Sequence, residues 1–150
     1  MRIDSISFFD HLATLMNSDP NTYELLGDID LDMAIVMRRP DEDDFRVQLE
    51  FSGIECKTVA EIDEGAETAT ECWIDGSLED WQGMFDDIAT NGQATGEWTL
   101  NTITIMGDKI QLKAGDPMGW DKFHRFNQTL QDFVDAAAPA LNKEASNVGS

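Results

Sequence analysis

The chain alternates between two hydrophobic periods, one of two residues and one of about 3.6. Over Asp28–Met37 every second side chain is apolar, and the same alternation returns over Phe45–Phe51. Because the side chains of a strand point alternately to its two faces, each stretch predicts a strand with one buried face. Three further strands are predicted over Ile54–Ile62, Ala69–Ile74 and Lys109–Lys113.

Helical spacing replaces this alternation in four segments. Apolar side chains recur three or four residues apart over Asp4–Met16, Ser77–Ile88 and Asp121–Ala138. A short fourth helix is expected from Pro20, because Asp19 can cap it and proline suits the first helical position.

The segment that joins the fourth strand to the middle helix is the most distinctive. Ser77 is a good N-cap, since its hydroxyl can accept a hydrogen bond from a first-turn amide. One face of the helix is large and apolar, with two aromatic side chains and a methionine, and consists of Leu78, Trp81, Met84, Phe85 and Ile88. This face could belong to a filled core or form the lid of a cavity.

Short turns separate the first four strands, at Pro40–Asp44, Ser52–Gly53 and Asp63–Gly65. They favour an antiparallel meander, because parallel neighbours need a longer crossover. We therefore predict an α+β fold with an antiparallel five-stranded sheet that helices cover on one face. We expect one domain over residues 1–138 and a frayed tail over residues 139–150.

Charge narrows the range of partners. The 150 residues carry a formal net charge of -20, from 30 acidic and 10 basic residues. Nucleic acids and anionic membranes repel such a surface, so we expect binding to neither. No apolar stretch approaches the roughly 20 residues of a membrane helix, so stable membrane insertion is not expected. Without a signal-peptide pattern, we expect a cytoplasmic protein whose two cysteines are reduced.

The same charge predicts a stability that depends on salt, because like charges repel each other in the compact state. The midpoint of thermal unfolding should rise between low salt and about ten times more, a range over which the Debye length shortens roughly threefold. Calorimetry at the two salt concentrations measures the shift. A constant midpoint would mean that the charges are too dispersed to oppose folding.

Candidate catalytic and metal-binding residues are few. His11 and His124 each lie in a predicted helix without the neighbouring histidine or cysteine that a metal site needs. The acidic turn Asp41–Asp44 lacks the glycine and the ligand spacing of a calcium loop. We therefore expect no metal, no cofactor and no catalysis. An enzyme acting on a hydrophobic substrate would need a polar residue inside a cavity, such as His124 or Asp121.

In the motif Ser77–Trp81, in the strand Asp108–Lys113 with the pair Gly115-Asp116, and in the order of its elements, the chain resembles the sterol carrier protein family of sterol-binding, nonspecific lipid-transfer domains. The first motif is Ser77-Leu-Glu-Asp-Trp81, which opens a helix after a strand. The second is the strand Asp108-Lys-Ile-Gln-Leu-Lys113, which leads to the pair Gly115-Asp116. The resemblance covers about Asp28–Val134.

The sequence departs from the family pattern in two places. The interval from Gly107 to Gly115 is longer than usual in the family. The family also has a helical turn where Trp98–Met106 shows the strand propensity of threonine and isoleucine. Because tertiary context often overrides propensity, the prediction leans toward a helix near Asn101–Met106.

The resemblance implies binding and carriage of a fatty acyl chain, a sterol or a similar lipid in an apolar tunnel between sheet and helices. It implies no catalysis and no cofactor. The residues expected to line the tunnel are apolar side chains of the middle helix, the connector and the last helix: Trp81, Met84, Phe85, Ile88, Ile103, Met106, Phe123, Phe126 and Leu130.

An interaction module is the alternative. It would use the same apolar face to form a homodimer or to dock to an enzyme, without binding lipid. The mass of the native protein, together with lipid detection after organic extraction, would distinguish the two.

Overall fold

The computed structural model describes residues 2–142, which form a five-stranded sheet packed against helices. The elements of regular structure follow one another as α1 (Ile6–Asn17), α2 (Pro20–Leu26), β1 (Ile29–Arg38), β2 (Phe45–Gly53), β3 (Glu55–Glu61), β4 (Cys72–Ser77), α3 (Leu78–Asn91), α4 (Leu100–Met106), β5 (Ile110–Lys113), α5 (Pro117–Arg125) and α6 (Asn127–Asp135). Two short 3-10 helices, Ala66–Ala69 and Gly96–Trp98, lie in the connections.

Local capping chemistry sets the helix starts that the sequence predicts. The Ser77 hydroxyl accepts a hydrogen bond from the Asp80 amide at 3.0 Å, so α3 begins where its N-cap indicates. Asp19 caps α2, and Pro20 occupies its first position. Both starts are confirmed.

The sheet is mixed, which corrects the predicted antiparallel sheet. Its strand order is β3-β2-β1-β4-β5. The pairs β1–β2, β2–β3 and β4–β5 are antiparallel, whereas β1 and β4 are parallel. The chain therefore does not continue the meander after β3 but crosses to the far side of β1.

Strand register explains why a short connection can make this crossover. Glu61 ends β3 and pairs with Val47 of β2, which pairs in turn with Ile35 of β1. Cys72 begins β4 and pairs with Met33 of β1. The chain has to move back only two positions along the sheet and about 14 Å across it. Ten connecting residues can span about 33 Å, so no crossover helix is needed.

The crossover covers the middle of the sheet face that lies opposite the helices. Its 3-10 helix Ala66–Ala69 contacts β1 and β4, and Glu67 Oε1 lies 3.2 Å from Nε of Arg46 on β2. Ala34 and Val36, which point to this face, are fully buried. The face that the prediction leaves uncovered by helices is therefore also buried at the centre of the sheet.

The segment with strand propensity folds as α4, which confirms the prediction of a helix near Asn101–Met106. The Thr99 hydroxyl accepts a hydrogen bond from the Thr102 amide at 3.3 Å, and Gly107 ends the helix with a φ of 68°. Leu100 and Ile103 are buried, so packing of one helical face overrides the β propensity.

The predicted last helix, Asp121–Ala138, is two helices. Asp116 and Pro117 start α5 four residues earlier, and the backbone breaks at Phe126 before α6. Phe126 is consequently only partly buried. Residues 138–142 are helical again, with Leu141 packed on the core. The predicted tail therefore does not begin at residue 139, and its residues 143–150 lie outside the described residues.

Contacts with Glu71 hold α5 against the sheet. Gly119 approaches so closely that a Cβ atom on it would overlap the Glu71 carbonyl oxygen. Lys122 Nζ lies 2.6 Å from Oε2 of Glu71 and 3.4 Å from Oδ2 of Asp30. The helix is therefore fixed to the start of β4 by a backbone contact and an ion pair.

Cys56 and Cys72 are buried, unpaired thiols, as the sequence predicts. Burial raises the pKa of each thiol from 9.0 to about 12. The raised pKa stabilises the folded state fully below about pH 9. This contribution is lost as the pH rises toward 12, because the unfolded chain then ionises first.

We therefore expect the native thiols to be inert at neutral pH. A thiol-reactive chromogenic reagent should count two groups in urea and none in the native protein, because burial and the raised pKa suppress the thiolate. Two rapidly reacting groups in the native protein would contradict the buried positions. The free energy of unfolding should fall above about pH 9, and less steeply in a Cys56→Ala, Cys72→Ala double variant.

Candidate functional site

The largest apolar side chains of α3 lie directly on the sheet. Trp81, Met84, Phe85 and Ile88 are fully buried. The Trp81 indole Nε1–H donates a hydrogen bond to the Val36 carbonyl oxygen at 3.0 Å. This bond satisfies the only polar atom of the side chain and fixes the ring between helix and sheet.

An apolar void lies beside Trp81, between the sheet and the helices α3, α4 and α6. It measures about 10 Å³, at the lower limit of what a single water occupies. Sheet and helices both contribute to its wall, which consists of Met33, Ile35, Leu49, Ile74, Trp81, Leu100, Leu130, Phe133 and Val134. A void with such a wall stays dry and offers room only to an apolar group.

The sequence predicted nine lining residues, and the structure places two of them, Trp81 and Leu130, at the void. Five others are buried elsewhere in the same core: Met84, Phe85, Ile88, Ile103 and Phe123. Phe126 is partly buried at the break between helices, and Met106 is 53% exposed on the outer side of α4. Met106 and Phe126 thus do not line the void.

Phe85, one of the residues expected to line the tunnel, points toward α1. Its ring packs edge to face on Phe8, with centroids 5.0 Å apart. The last helix contacts the sheet instead through Phe133, whose ring lies edge to face on Phe51 at 5.2 Å. The first helix therefore occupies the side of α3 that was assigned to the tunnel.

Sequence reasoning missed the other seven lining residues, four of which belong to strands. Met33, Ile35, Leu49 and Ile74 are inward positions of the predicted alternation. That alternation was a sufficient signal for them, because every inward side chain of a helix-covered sheet faces the helices. The remaining three, Leu100, Phe133 and Val134, depend on how α4 and α6 pack.

Hydrogen bonds stabilise the contact between α4 and α6, which we call the α4–α6 seam. Oε1 of Gln131 accepts a hydrogen bond from the Leu100 amide at 2.8 Å, and Nε2 of Gln131 donates one to Oδ1 of Asp135 at 2.8 Å. The same Asp135 oxygen accepts a bond from the Ala94 amide at 3.0 Å. Two side chains of α6 thus hold the connection between α3 and α4.

Carboxylates gather at this seam. Asp87 accepts hydrogen bonds from the amide and hydroxyl of Thr95, next to the residue that Asp135 binds. Burial raises the pKa of Asp135, and repulsion from Asp132 and Asp87 also raises it. The hydrogen bonds that Asp135 accepts lower its pKa but do not cancel the rise. Negative charge is therefore already unfavourable here.

Two wider hollows lie elsewhere and are lined by charged side chains. One of about 480 Å³ lies between the β1–β2 turn and the crossover, with Arg39 and Arg46 among carboxylates. Another, an open groove of about 670 Å³ along α3, has Leu78 and Trp98 beside three carboxylates. Neither has the apolar enclosure that a lipid chain needs.

Among residues 2–142, no cluster of three or more histidine, cysteine or acidic side chains is arranged to hold a metal ion. Within the same residues, no helix combines the length and the apolarity needed to cross a membrane. His124 and Asp121, the polar residues considered for a catalytic cavity, are exposed and do not line the void.

Two solved structures are similar over nearly the whole chain. The crystal structure of sterol carrier protein 2 matches with a TM-score of 0.70 and 15% sequence identity, covering 91% of this chain and 97% of that chain. The solution structure of a conserved hypothetical protein from Thermus thermophilus, described as a possible sterol carrier protein, matches with a TM-score of 0.65 and 15% identity, covering 92% of this chain and 91% of that chain. Comparisons with protein-family models and with curated proteins found no match.

The likeness to these structures confirms the resemblance at the level of the fold. The chain has a sterol-carrier-protein-like fold, with five strands and helices in the arrangement described above. At this sequence identity, fold alone is established, because one fold can carry many functions.

Proposed function

We propose that this protein binds an apolar or amphipathic ligand, such as a fatty acyl chain or a sterol, between the sheet and helices α3, α4 and α6, and carries it without chemical change. The observation that carries the proposal is the void beside Trp81, whose wall is entirely apolar. The fold of sterol carrier proteins supports it by analogy.

The proposal requires the void to open. Pockets for small molecules typically measure about 300–1,000 Å³, whereas the void measures about 10 Å³. The energy to open it can come from the ligand, because each buried methylene contributes about 0.8 kcal/mol. After the costs of association, micromolar or tighter binding remains feasible.

Helix α4 is the element we propose to move. It has only seven residues, Leu100–Met106, and helices this short depend on their packing for stability. Its inner face contributes Leu100 to the void, while Ile105 and Met106 on its outer face are exposed. A displacement of α4 would thus open the void.

Two observations weigh against the other functions. The interaction module needs the apolar face of α3 to be available, yet Trp81, Phe85 and Ile88 are buried within the chain itself. A catalytic cavity needs a polar group inside, yet the wall of the void is apolar. Carriage without chemistry therefore has the better support.

A titration with diphenylhexatriene, a neutral fluorescent probe, tests the proposal. We expect saturable binding at one site per chain and, on binding, slower amide hydrogen exchange in α4, because the ligand would pack under it. Before binding, the α4 amides should exchange faster than those of α3 around Met84. Absence of binding by delipidated protein would refute the proposal, and protection confined to α1 would place the site elsewhere.

A further inference from the structure

Polar groups next to the void have their hydrogen bonds satisfied within the protein. The Trp81 indole is bonded to Val36. The oxygen of the Gln131 amide is bonded to Leu100 across the α4–α6 seam, and its nitrogen is bonded to Asp135 within α6. The Thr104 hydroxyl donates to the Leu100 carbonyl oxygen at 2.6 Å. A polar head group that entered the void would lose its hydration and gain no partner, which is costly. The head group must therefore remain at the mouth of the void, where the opened void meets the surface.

The proposed movement of α4 places the mouth at the seam, because Leu100 of α4 and Leu130 and Val134 of α6 line the void. Asp135 lies at the seam, and Asp87 and Asp132 lie close enough to repel its charge. Asp135 connects α6 to the Ala94 amide, and Asp87 binds Thr95 beside it. A head group that leaves the void between α4 and α6 thus meets three carboxylates.

Among residues 2–142, every lysine and arginine that could offset these carboxylates is already paired. Every arginine and lysine among residues 2–142 has a nitrogen within 4.0 Å of a carboxylate oxygen. Lys109, which follows α4, lies 4.0 Å from Glu97 and 5.3 Å from the centroid of the Trp98 ring. To gain a cation from the described part of the chain, an anionic head group would have to break one of these pairs.

We propose that the site selects ligands by head-group charge. It takes an apolar chain with an uncharged or cationic head group and discriminates against a carboxylate or a phosphate, with Asp87, Asp132 and Asp135 as the specificity-determining residues. This inference rests on the proposed function, since it describes the ligand of the same void. Two unit charges about 10 Å apart near a protein surface interact strongly enough to change an affinity roughly tenfold.

Displacement of bound diphenylhexatriene by three amphiphiles of equal chain length tests the selection. Hexadecanol and hexadecylammonium should displace the probe at concentrations roughly tenfold below those that hexadecanoate needs, all measured below their aggregation thresholds. Higher salt should narrow the difference, because it screens charges at the mouth. Equal displacement by hexadecanoate at low salt would overturn the inference and leave the carrier function intact. A failure of the probe itself to bind would refute the carrier function instead.

Two variants assign the selection to the seam. Asp135→Asn keeps an oxygen that can accept the Ala94 bond while it removes the charge, and Asp132→Asn removes a charge from the same helix. Each should improve hexadecanoate binding about threefold and leave hexadecanol unchanged. Asp41→Asn, an equal charge change on the exposed β1–β2 turn, is the matched control and should alter neither. A discrimination that persists in both seam variants, or that the control reduces equally, would overturn the assignment.

Discussion

Replacement of Gly119 by alanine is expected to lower the free energy of unfolding by about 3 kcal/mol, at the upper end of what an overpacked site usually costs. A Cβ atom at this position would overlap the Glu71 carbonyl oxygen and lie 2.9 Å from the Ala114 Cβ atom. The obstacle is backbone, which cannot rotate away as a side chain can. Helix α5 would have to shift away from β4, and the pair between Lys122 and Glu71 would be strained with it.

Gly115→Ala is the matched control for this prediction. It makes the same chemical change four residues earlier, where a Cβ atom would meet nothing within 4 Å. We expect a change within about 0.5 kcal/mol, as for most surface substitutions. Urea unfolding followed by tryptophan fluorescence measures both variants. A similar loss in the two, or none in Gly119→Ala, would contradict the close contact between α5 and Glu71.

Local patterns were sufficient to predict most elements of this fold. The alternation over Asp28–Met37, the cap at Ser77 and the spacing within α3 each depend on interactions among neighbouring residues. The helix α4 was harder to predict, because its threonines and isoleucines favour a strand when considered alone. A family resemblance was needed there, and the burial of Leu100 and Ile103 shows why it was right.

The parallel pairing of β1 and β4 could not be predicted from turn lengths. It depends on the register of β4 against Met33, which only the assembled sheet defines. Ten residues are too few for a crossover helix and enough for an extended crossing, so the same turn length allows both topologies. The break at Phe126 is similar, since no proline or glycine marks it in the sequence.

The candidate site, like the fold, could be predicted from the sequence only in part. That an apolar layer lies between α3 and the sheet follows from the two periodicities. The direction of each side chain within the layer depends on which helix packs beside it, and α1 takes the position next to Phe85. The size of the void depends on the fit of side chains from several elements and has no signal in sequence.

Truncation of Trp81 should change both stability and ligand affinity, whereas truncation of a core residue away from the void should change stability alone. We expect Trp81→Ala to cost about 3–5 kcal/mol of stability, as large-to-small changes in a core do. The same change removes one wall of the void and leaves an apolar cavity, which stays dry and can accept an apolar guest. Opening of the void then costs less free energy, so the affinity for diphenylhexatriene should rise about tenfold.

Phe85→Ala is the control, because it removes a fully buried ring from the same helix face at a position that does not line the void. Its stability loss should also be about 3–5 kcal/mol, while its probe affinity should stay near that of the wild type. Since both variants are destabilised alike, general loosening of the fold cannot produce the difference. Urea midpoints and probe titrations at a temperature where both remain folded provide the comparison. Equal affinities in Trp81→Ala and Phe85→Ala would show that the ligand does not enter beside Trp81, and the proposed site would have to be abandoned.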